Sequence, residues 1–361
     1  MKDKKICFVI ESMQGGGAQK NLSYLINSIA KKKNSNISLL TFSSSKKDIF
    51  NFGKHIKRKK LPLKIHSESF SKKISNNLYR IKLLRNFFLK EDFDIIVSFI
   101  TTTNILIAIS TLGLNVKVII SERNDLQRQK INFFWKILRV FFYKYCDKLI
   151  LNSRGSYESS LKLFSKNKVR LIPNFVSVEK KKTRKRKRKF FLAVGRLHKQ
   201  KGFDNLIEAY SIFFKDNKEY DLIILGEGEE RTNLINKISQ LNLNNKVFLP
   251  GYLNPHPYYN SCSLFISSSL YEGVSNATLE AMHYKIPIIA TYTQPGIFDY
   301  LKNNHSALFA NTSPKSLSAK IREIISSRKL AKKISLNAFH SIKKVDNKKI
   351  EALWVKEIFN F

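Results

Sequence analysis

The sequence predicts an α/β protein built as two doubly wound domains, each a parallel sheet flanked by helices. Short apolar runs of the kind buried in parallel sheets alternate with amphipathic helical patterns through both halves of the chain. The length of 361 residues exceeds what one ordinary core organises, and a hydrophobic content of 43% is ample for packed interiors. Between the two alternating series, residues 180–189 hold nine basic residues in ten positions. Strand patterns stop before this run and restart after it, as at an exposed interdomain linker. The expected division is a first domain over 1–175, a linker over 176–189, a second domain over 190–345 and a terminal helix over 346–361.

In the first half, residues 5–10 form a continuous apolar strand. Gly15, Gly16 and Gly17 follow, then a helix over 18–32 with Leu22, Leu25, Ile26 and Ile29 on one face, which opens a βαβ unit. The next strand is 37–42. Residues 46–73 read as irregular and basic. A helix spans 74–89 and a strand 94–99, entered through Asp92 and Asp94; a D-x-D can hold a metal, but here it introduces an apolar strand. Residues 99–116 carry no charge, yet Thr, Ser and Asn abound and Gly113 breaks them, so they read as strand end, loop and buried helix rather than a membrane span. A strand over 116–121 runs into Ser121-Glu122-Arg123-Asn124-Asp125. A helix dense in aromatic and basic residues spans 131–145, short strands cover 148–152 and 169–172, and Pro173-Asn174-Phe175 closes the half.

The second half opens on a strand over 190–194, followed by the loop 195–202 (GRLHKQKG) and a helix from Asp204. A strand over 222–225 leads to Gly226-Glu227-Gly228 and a helix over 229–241; 247–249 is a strand, with Gly251 and Tyr252 after it. The strand 263–267 leads into a loop holding Glu272 and Gly273. Ser275 and Asn276 are helix N-caps for 277–284, and Pro287 precedes a strand over 288–291. Helices over 316–327, 329–345 and 348–359 finish the chain. Ligands of such sheets bind beyond the carboxyl ends of strands. The glycine loop 15–17, the loop from Arg196 to Lys201, the loop 226–228 and the stretch from Glu272 to Glu280 all lie at such ends.

Each loop has its own chemistry. Arg196 and Lys201 supply two cations that can neutralise a diphosphate. Gly226 and Gly228 let backbone approach closely. Backbone N–H groups at the start of the helix near Asn276 attract phosphate, and the nearby carboxylates Glu272 and Glu280 can hold sugar or ribose hydroxyls. The N-terminal glycines are not a dinucleotide fingerprint, because Lys20 stands where G-x-G-x-x-G needs its last glycine. His198 and His283 read as structural or solvated, no Ser–His–Asp set is legible, and no metal site or cofactor is expected. Cys7, Cys146 and Cys262 are scattered without ligand or disulfide spacing, which fits a reducing cytoplasm.

Together these residues resemble the retaining glycosyltransferases of the GT-B fold, specifically glycosyltransferase family 4 (group 1). The likeness covers nearly the whole chain and is strongest over 190–310. It rests on the glutamates of EGVSNATLEAM (Glu272 and Glu280), the G-R-L-x-x-x-K-G loop over 195–202, the G-x-G at 226–228, the N-terminal glycines, and I-P-N at 172–174. The resemblance implies two Rossmann-like domains facing across a cleft, the first for the acceptor and the second for a nucleotide-sugar donor. It also implies that the terminal helix crosses back to the first domain. Arg196 and Lys201 would bind the donor diphosphate, Glu280 the nucleotide ribose and Glu272 the donor sugar. Gly16 and Gly17 would lie on the donor side, and Asn276, Ala277 and Thr278 would offer helix amides to the phosphates. The implied reaction is metal-independent, with retained anomeric configuration. Many relatives have a His at the end of the strand 118–121, where this chain has S-E-R-N-D. That variant resembles enzymes acting on lipid-linked oligosaccharides, which makes Arg123 and Glu122 acceptor-side candidates; a surface salt bridge of Arg123 with Asp125 is the ordinary alternative.

The net charge of +38 is concentrated early: up to Lys189 there are 43 Lys+Arg against 12 Asp+Glu, a net of +31. Either this is a solvated lysine surface, or it meets an anionic partner. With a lipid-linked acceptor, peripheral attachment to the inner face of the cytoplasmic membrane is expected, through 46–73 and the aromatic helix 131–145. Two rivals stand beside this expectation. A GT-B nucleotide-sugar 2-epimerase would alter a UDP-sugar without an acceptor. A basic nucleic-acid-binding protein is disfavoured, because no RNP, KH or helix-turn-helix signature is present.

Overall fold

The computed structural model describes residues 4–32, 36–43, 48–61, 70–124, 126, 129, 131–176, 178 and 189–359. The chain forms two compact units, one of residues 1–175 with 347–361, the other of 176–346.

In the first unit, strands β1 (Lys5–Ile10), β2 (Asn36–Thr41), β3 (Lys57–Lys60), β4 (Ile95–Phe99), β5 (Lys117–Ser121), β6 (Lys148–Leu151) and β7 (Val169–Leu171) make one parallel sheet in the order β3-β2-β1-β4-β5-β6-β7. Ile6 to Ile10 of β1 are entirely buried, as a central parallel strand covered on both faces requires. Helices α1 (Gly17–Lys32), α2 (Phe70–Glu91), α3 (Thr101–Ser110), α4 (Phe133–Phe142) and α5 (Arg154–Leu161) connect them. The order reverses between β1 and β4, so the loops after these strands diverge at a topological switch point. Asp94 Oδ2 accepts the Lys5 amide at 2.7 Å, the strand-entry role its position suggested.

Three differences from the sequence reading stand out here. Part of the segment expected to be irregular is β3, an edge strand of sequence KRKK held by Arg58, which donates to Leu39 O at 3.1 Å and pairs with Asp48. A strand without apolar residues leaves no periodic signal, and lysines suit a sheet edge because they discourage further pairing. α2 begins at Phe70 rather than 74. α5 went unread because its buried side is two serines, Ser156 and Ser160; its cap is Ser153 Oγ, which accepts from the Ser156 amide at 3.3 Å. Of the expected linker 176–189, residues 177 and 179–188 lie outside the described residues, and Lys189 already begins the next strand.

The second unit has β8 (Lys189–Val194), β9 (Tyr220–Leu225), β10 (Val247–Phe248), β11 (Leu264–Ser267), β12 (Ile288–Thr291) and β13 (Leu308–Ala310), parallel in the order β10-β9-β8-β11-β12-β13. β13, only three residues long, was not anticipated. Helices α6 (Phe203–Phe214), α7 (Arg231–Gln240), α8 (His256–Tyr259), α9 (Asn276–His283), α10 (Pro314–Ser326) and α11 (Arg328–Lys343) complete the unit. One core cluster gathers Phe191, Leu206, Tyr210 and Ile321, and a second gathers Phe190, Phe265, Leu279 and Ile288. The switch point lies between β8 and β11, whose following loops carry the Arg196–Lys201 and Glu272–Glu280 stretches.

The last helix, α12 (Asn347–Phe359), belongs to the first unit. Trp354 is fully buried there, its ring stacked on Phe99 at 5.8 Å. Burial of one indole at this scale stabilises by several kcal/mol.

Candidate active site

In the second unit the loops after β8 and β11 are laced together. Leu270 N donates to Gln200 O at 2.7 Å, Gln200 Nε2 to Tyr271 O at 2.8 Å, and Ser268 Oγ to Lys201 O at 2.8 Å. Gly202 permits this approach. Its φ of 59° is left-handed, and a Cβ there would sit 2.5 Å from Ser268 O. His198 is the cap of the intervening turn, Nδ1 accepting from the Gln200 amide at 3.0 Å, which gives it the structural role expected.

The lacing brings Lys201 onto Glu272. Nζ lies 2.6 Å from Oε1, and Ser269 Oγ donates to the other oxygen, Oε2, at 2.9 Å. Both side chains are largely withdrawn from water, with 16% and 14% exposure. The lysine stem passes directly over Gly195, where a Cβ would meet its Cε at 3.0 Å. Arg196, by contrast, is exposed and makes no ion pair with a described carboxylate. It stands close enough to Tyr271 for its charge to counter part of the rise that burial imposes on that phenol's pKa. One cation is therefore committed to a carboxylate and the other is open.

Glu280 lies in the second turn of α9 and is 4% exposed. Ser275 caps the helix, its Oγ accepting from the Thr278 amide at 3.4 Å. Tyr259, itself buried, donates to Ala277 O at 3.2 Å; burial and then the Glu280 carboxylate push its pKa well up. Tyr252, half exposed, feels the same two influences in that order. Glu280 is thus an interior carboxylate faced by two phenols, whereas Glu272 sits on a loop beside a cation. Burial lowers the pKa of His283, as does Lys285, and its ring packs on Phe339.

Gly226 and Gly228 serve the protein's own backbone. A Cβ at Gly226 would fall 1.8 Å from Gly195 O, and one at Gly228 would fall 2.3 Å from Leu197 O. Leu197 N donates to Glu227 O at 2.9 Å, so the two loops are in contact without room for side chains. The sequence indicated close approach but not to what.

Sequence reasoning missed a buried polar lattice beneath Glu272. Ser269 O accepts Thr291 Oγ1 and Thr293 Oγ1, each at 2.6 Å. Gln294 Nε2 donates to Ser267 O at 2.8 Å and to Thr291 Oγ1 at 2.9 Å, while Ser267 Oγ donates to Gln294 Oε1 at 2.8 Å. The cluster of hydroxyls in SSS and TYTQ was its one visible signal.

In the first unit, Gly15 and Gly16 have φ of 122° and 119°, and Gly17 begins α1. Asn21 fixes this end, donating to Gly17 O at 3.1 Å and accepting from the Phe175 amide at 2.7 Å. The acceptor-side candidates are not where surface chemistry would put them. Glu122 is buried; Tyr143 Oη donates to one oxygen and Thr101 Oγ1 lies 2.8 Å from the other. Burial raises its pKa, with Tyr143, Arg139 and Thr101 opposing. Arg123 is 9% exposed, with its guanidinium 5.0 Å from the Phe99 ring and 5.5 Å from that of Trp354, and Nη1 donates to Asn174 Oδ1 at 2.8 Å. Burial pulls its pKa down to about 9, against the pull of Glu122, so it stays cationic at neutral pH. Arg123 is therefore an interior cation beside two stacked aromatic rings rather than a surface residue, and its suggested partner Asp125 lies outside the described residues. Ile100, between β4 and α3, has φ 76°, a left-handed conformation rare for a β-branched residue.

Among the described residues no group of three or more His, Cys, Asp or Glu gathers as metal ligands would. Two parallel Rossmann-type units, with carboxylates and cations at a strand-order switch, define a GT-B glycosyltransferase. Comparison with known proteins supports that class. Residues 176–341 match the model of glycosyl transferases group 1, and residues 15–180 match that of glycosyltransferase family 4. The chain belongs to this family. It is 26% identical, over 98% of both chains, to a Campylobacter jejuni α-1,4-N-acetyl-D-galactosaminyltransferase named for a GalNAc-GalNAc-diNAcBac-diphosphoundecaprenol substrate. Sucrose-phosphate synthase from Thermosynechococcus elongatus shares the fold with a TM-score of 0.81 at 15% identity, covering 98% of each chain. HepE from Anabaena, solved with UDP and glucose, has a TM-score of 0.77 at 15% identity, covering 99% of this chain and 100% of its own.

Proposed function

We propose that the protein is a retaining glycosyltransferase that moves a hexose or N-acetylhexosamine from a UDP-sugar to a lipid-linked glycan. The acceptor would be carried on a polyprenyl diphosphate, in bacterial polysaccharide, lipooligosaccharide or glycoprotein-glycan assembly. One observation carries this reading: at the switch point of the second unit an open arginine and a lysine–glutamate clasp stand beside the capped start of α9. Arg196 and Lys201 neutralise the departing diphosphate, and the amides of Asn276, Ala277 and Thr278 at the start of α9 add partial positive charge. Glu280 binds ribose hydroxyls and Glu272 the donor sugar. Gly16 and Gly17 give the first unit's glycine loop a backbone that can approach the donor. The acceptor hydroxyl attacks from the face the nucleotide leaves, a phosphate oxygen takes its proton, and no resident metal is required. Glu122 and Arg123 act on the acceptor side by shaping the loop after β5 rather than by surface contact. The Campylobacter relative, named for a diphosphoundecaprenol substrate, supports the lipid-linked acceptor, and the HepE complex supports UDP. Such an acceptor puts the enzyme at the cytoplasmic face of the membrane.

Thermal-shift screening of nucleotide sugars tests the donor. A ligand at a hundred times its Kd stabilises by about 2.7 kcal/mol, a readily measured rise in Tm. Transfer by the hit must survive EDTA and give an axially or equatorially unchanged anomer by NMR. No shift with any UDP- or GDP-sugar, or a Glu272→Ala variant that turns over normally, sinks the assignment.

A further inference from the structure

Among the described residues, the largest set of exposed apolar side chains on a single helix and its following turn lies on α4. Phe133 is 74% exposed, Phe134 57%, Ile137 51%, Phe141 54% and, in the turn that follows, Tyr145 59%. Their spacing puts Phe133, Ile137, Phe141 and Tyr145 in one line, four residues apart. The opposite side of the same helix is used up: Trp135, Leu138 and Phe142 pack on the first unit's core, and Arg139 is buried, donating to Leu126 O at 2.8 Å. So α4 is apolar on both sides, and folding of its own unit consumes only one. An exposed aromatic costs free energy in water that folding does not recover, and a row of them marks a surface with a partner.

Charge selects the partner. Lys136 and Lys144 are exposed beside the aromatic row, and residues 126–146 contain no Asp or Glu. A second copy docking through the same face would bring these lysines together with no carboxylate from 126–146 to offset them. An anionic bilayer offers acyl chains to the rings and phosphates to the ammonium groups, the pairing that interfacial helices use. α3 packs against both α2 and α4, and α2 adds exposed Leu78, Tyr79 and Leu89 on the same side of the sheet.

Resting on the lipid-linked-acceptor reading, we infer that the outward face of α4 inserts into the surface of an anionic membrane, with Phe133, Phe134, Ile137 and Phe141 entering the headgroup–acyl boundary. The described part of the basic segment, 48–61, has one largely exposed apolar side chain, Ile49; insertion through α4 therefore differs from attraction by charge alone.

Co-sedimentation of the full chain with vesicles tests this. Phosphatidylcholine vesicles are compared with ones containing about a third phosphatidylglycerol, at low and high salt. The wild-type protein is expected to bind the anionic vesicles and to keep part of that binding at high salt. Phe133→Gln, Phe134→Gln, Ile137→Gln and Phe141→Gln combined should weaken partitioning by at least about a hundred-fold. Lys136→Glu with Lys144→Glu should weaken it on the order of a hundred-fold at low salt and less at high salt. Because every altered side chain is exposed, Tm, the nucleotide-sugar thermal shift and transfer to a water-soluble acceptor analogue should stay unchanged. Equal vesicle binding by wild type and the four-residue variant overturns the inference. So does a variant that converts a dimer to a monomer while binding vesicles normally, since the face is then a contact between copies. If no nucleotide sugar binds but vesicle binding still depends on α4, the function fails and the docking face stands.

Discussion

The Lys201–Glu272 clasp makes a quantitative claim. Replacing Lys201 by Met leaves Glu272 Oε1 without its cation while Ser269 still holds Oε2. Breaking a fully buried ion pair from one side costs about 3–5 kcal/mol. Here the partners retain 16% and 14% exposure, and one hydrogen bond survives, so about 2–3 kcal/mol is expected. For a domain of this size each kcal/mol lowers Tm by about 2–4 °C, so the second unit should melt roughly 5–10 °C lower. Glu272→Gln alone leaves the ammonium with a neutral acceptor and should cost about 1–2 kcal/mol. The double variant places a thioether beside an amide and should be far less damaged than the sum, with a coupling of about 2 kcal/mol. Denaturation of the four proteins closes the cycle. Additivity within about 0.3–0.5 kcal/mol would show that the two groups do not act as a pair, and the geometry would then be irrelevant to the site. Titration with UDP and with UDP-sugar adds a second arm. Lys201→Met should weaken both, because it removes a diphosphate partner. Glu272→Gln should leave UDP binding intact and reduce only the extra affinity contributed by the sugar.

Three other outcomes follow from the packing of these units. Gly226→Ala puts a methyl 1.8 Å from Gly195 O at a φ of 149°, so it should destabilise the second unit by more than about 3 kcal/mol; soluble, wild-type-like melting would contradict the loop packing. Trp354→Ala removes a fully buried indole from Phe99 and Arg123, costing about 3–5 kcal/mol in the first unit by chemical denaturation, while the UDP-induced thermal shift of the second unit is kept. Glu122 has a raised folded pKa, so the folded state holds its proton more tightly than the unfolded chain. Its stability contribution is therefore largest in acid and falls as pH climbs from the ordinary carboxylate range, about 4.3, through the raised value. The stability difference between wild type and Glu122→Gln should change with pH over that window; a flat difference argues against a buried titrating carboxylate.

What the sequence disclosed, and what it withheld, divides along physical lines. β1, β8 and β11 were legible because buried parallel strands are unbroken apolar runs, and the loops after them followed from topology alone. Lys201 and Glu272 were singled out separately, but their contact was not, since they lie 71 positions apart and meet only because two strands that are not consecutive are neighbours. The burial of Arg123 was not legible for a related reason. A charged residue in S-E-R-N-D looks like surface, and only the fold brings Phe99, Asn174 and Trp354 around it. The edge strand KRKK and the serine-backed helix α5 carried no hydrophobic period to detect.

The polar lattice of Ser267, Ser269, Thr291, Thr293 and Gln294 was the least legible element, and it bears most directly on mechanism. Hydroxyls and amides satisfy one another only at specific distances, so a fully bonded buried network admits one arrangement and resists others. It fixes Ser269, and Ser269 grips Glu272 from below. Lys201 grips it from the side through a flexible four-carbon stem. The carboxylate is therefore anchored by one rigid contact and one movable one. In the proposed reaction the movable contact is also a partner for the donor diphosphate, so phosphate and Glu272 draw on the same ammonium. Ser269 is what keeps Glu272 in place when that ammonium is shared. By the same reasoning Ser269→Ala should lower kcat more than it raises the Kd for UDP, because it loosens the sugar-side carboxylate and leaves the phosphate-binding cations untouched. Equal losses in the two quantities would assign Ser269 to the folding of the loop instead.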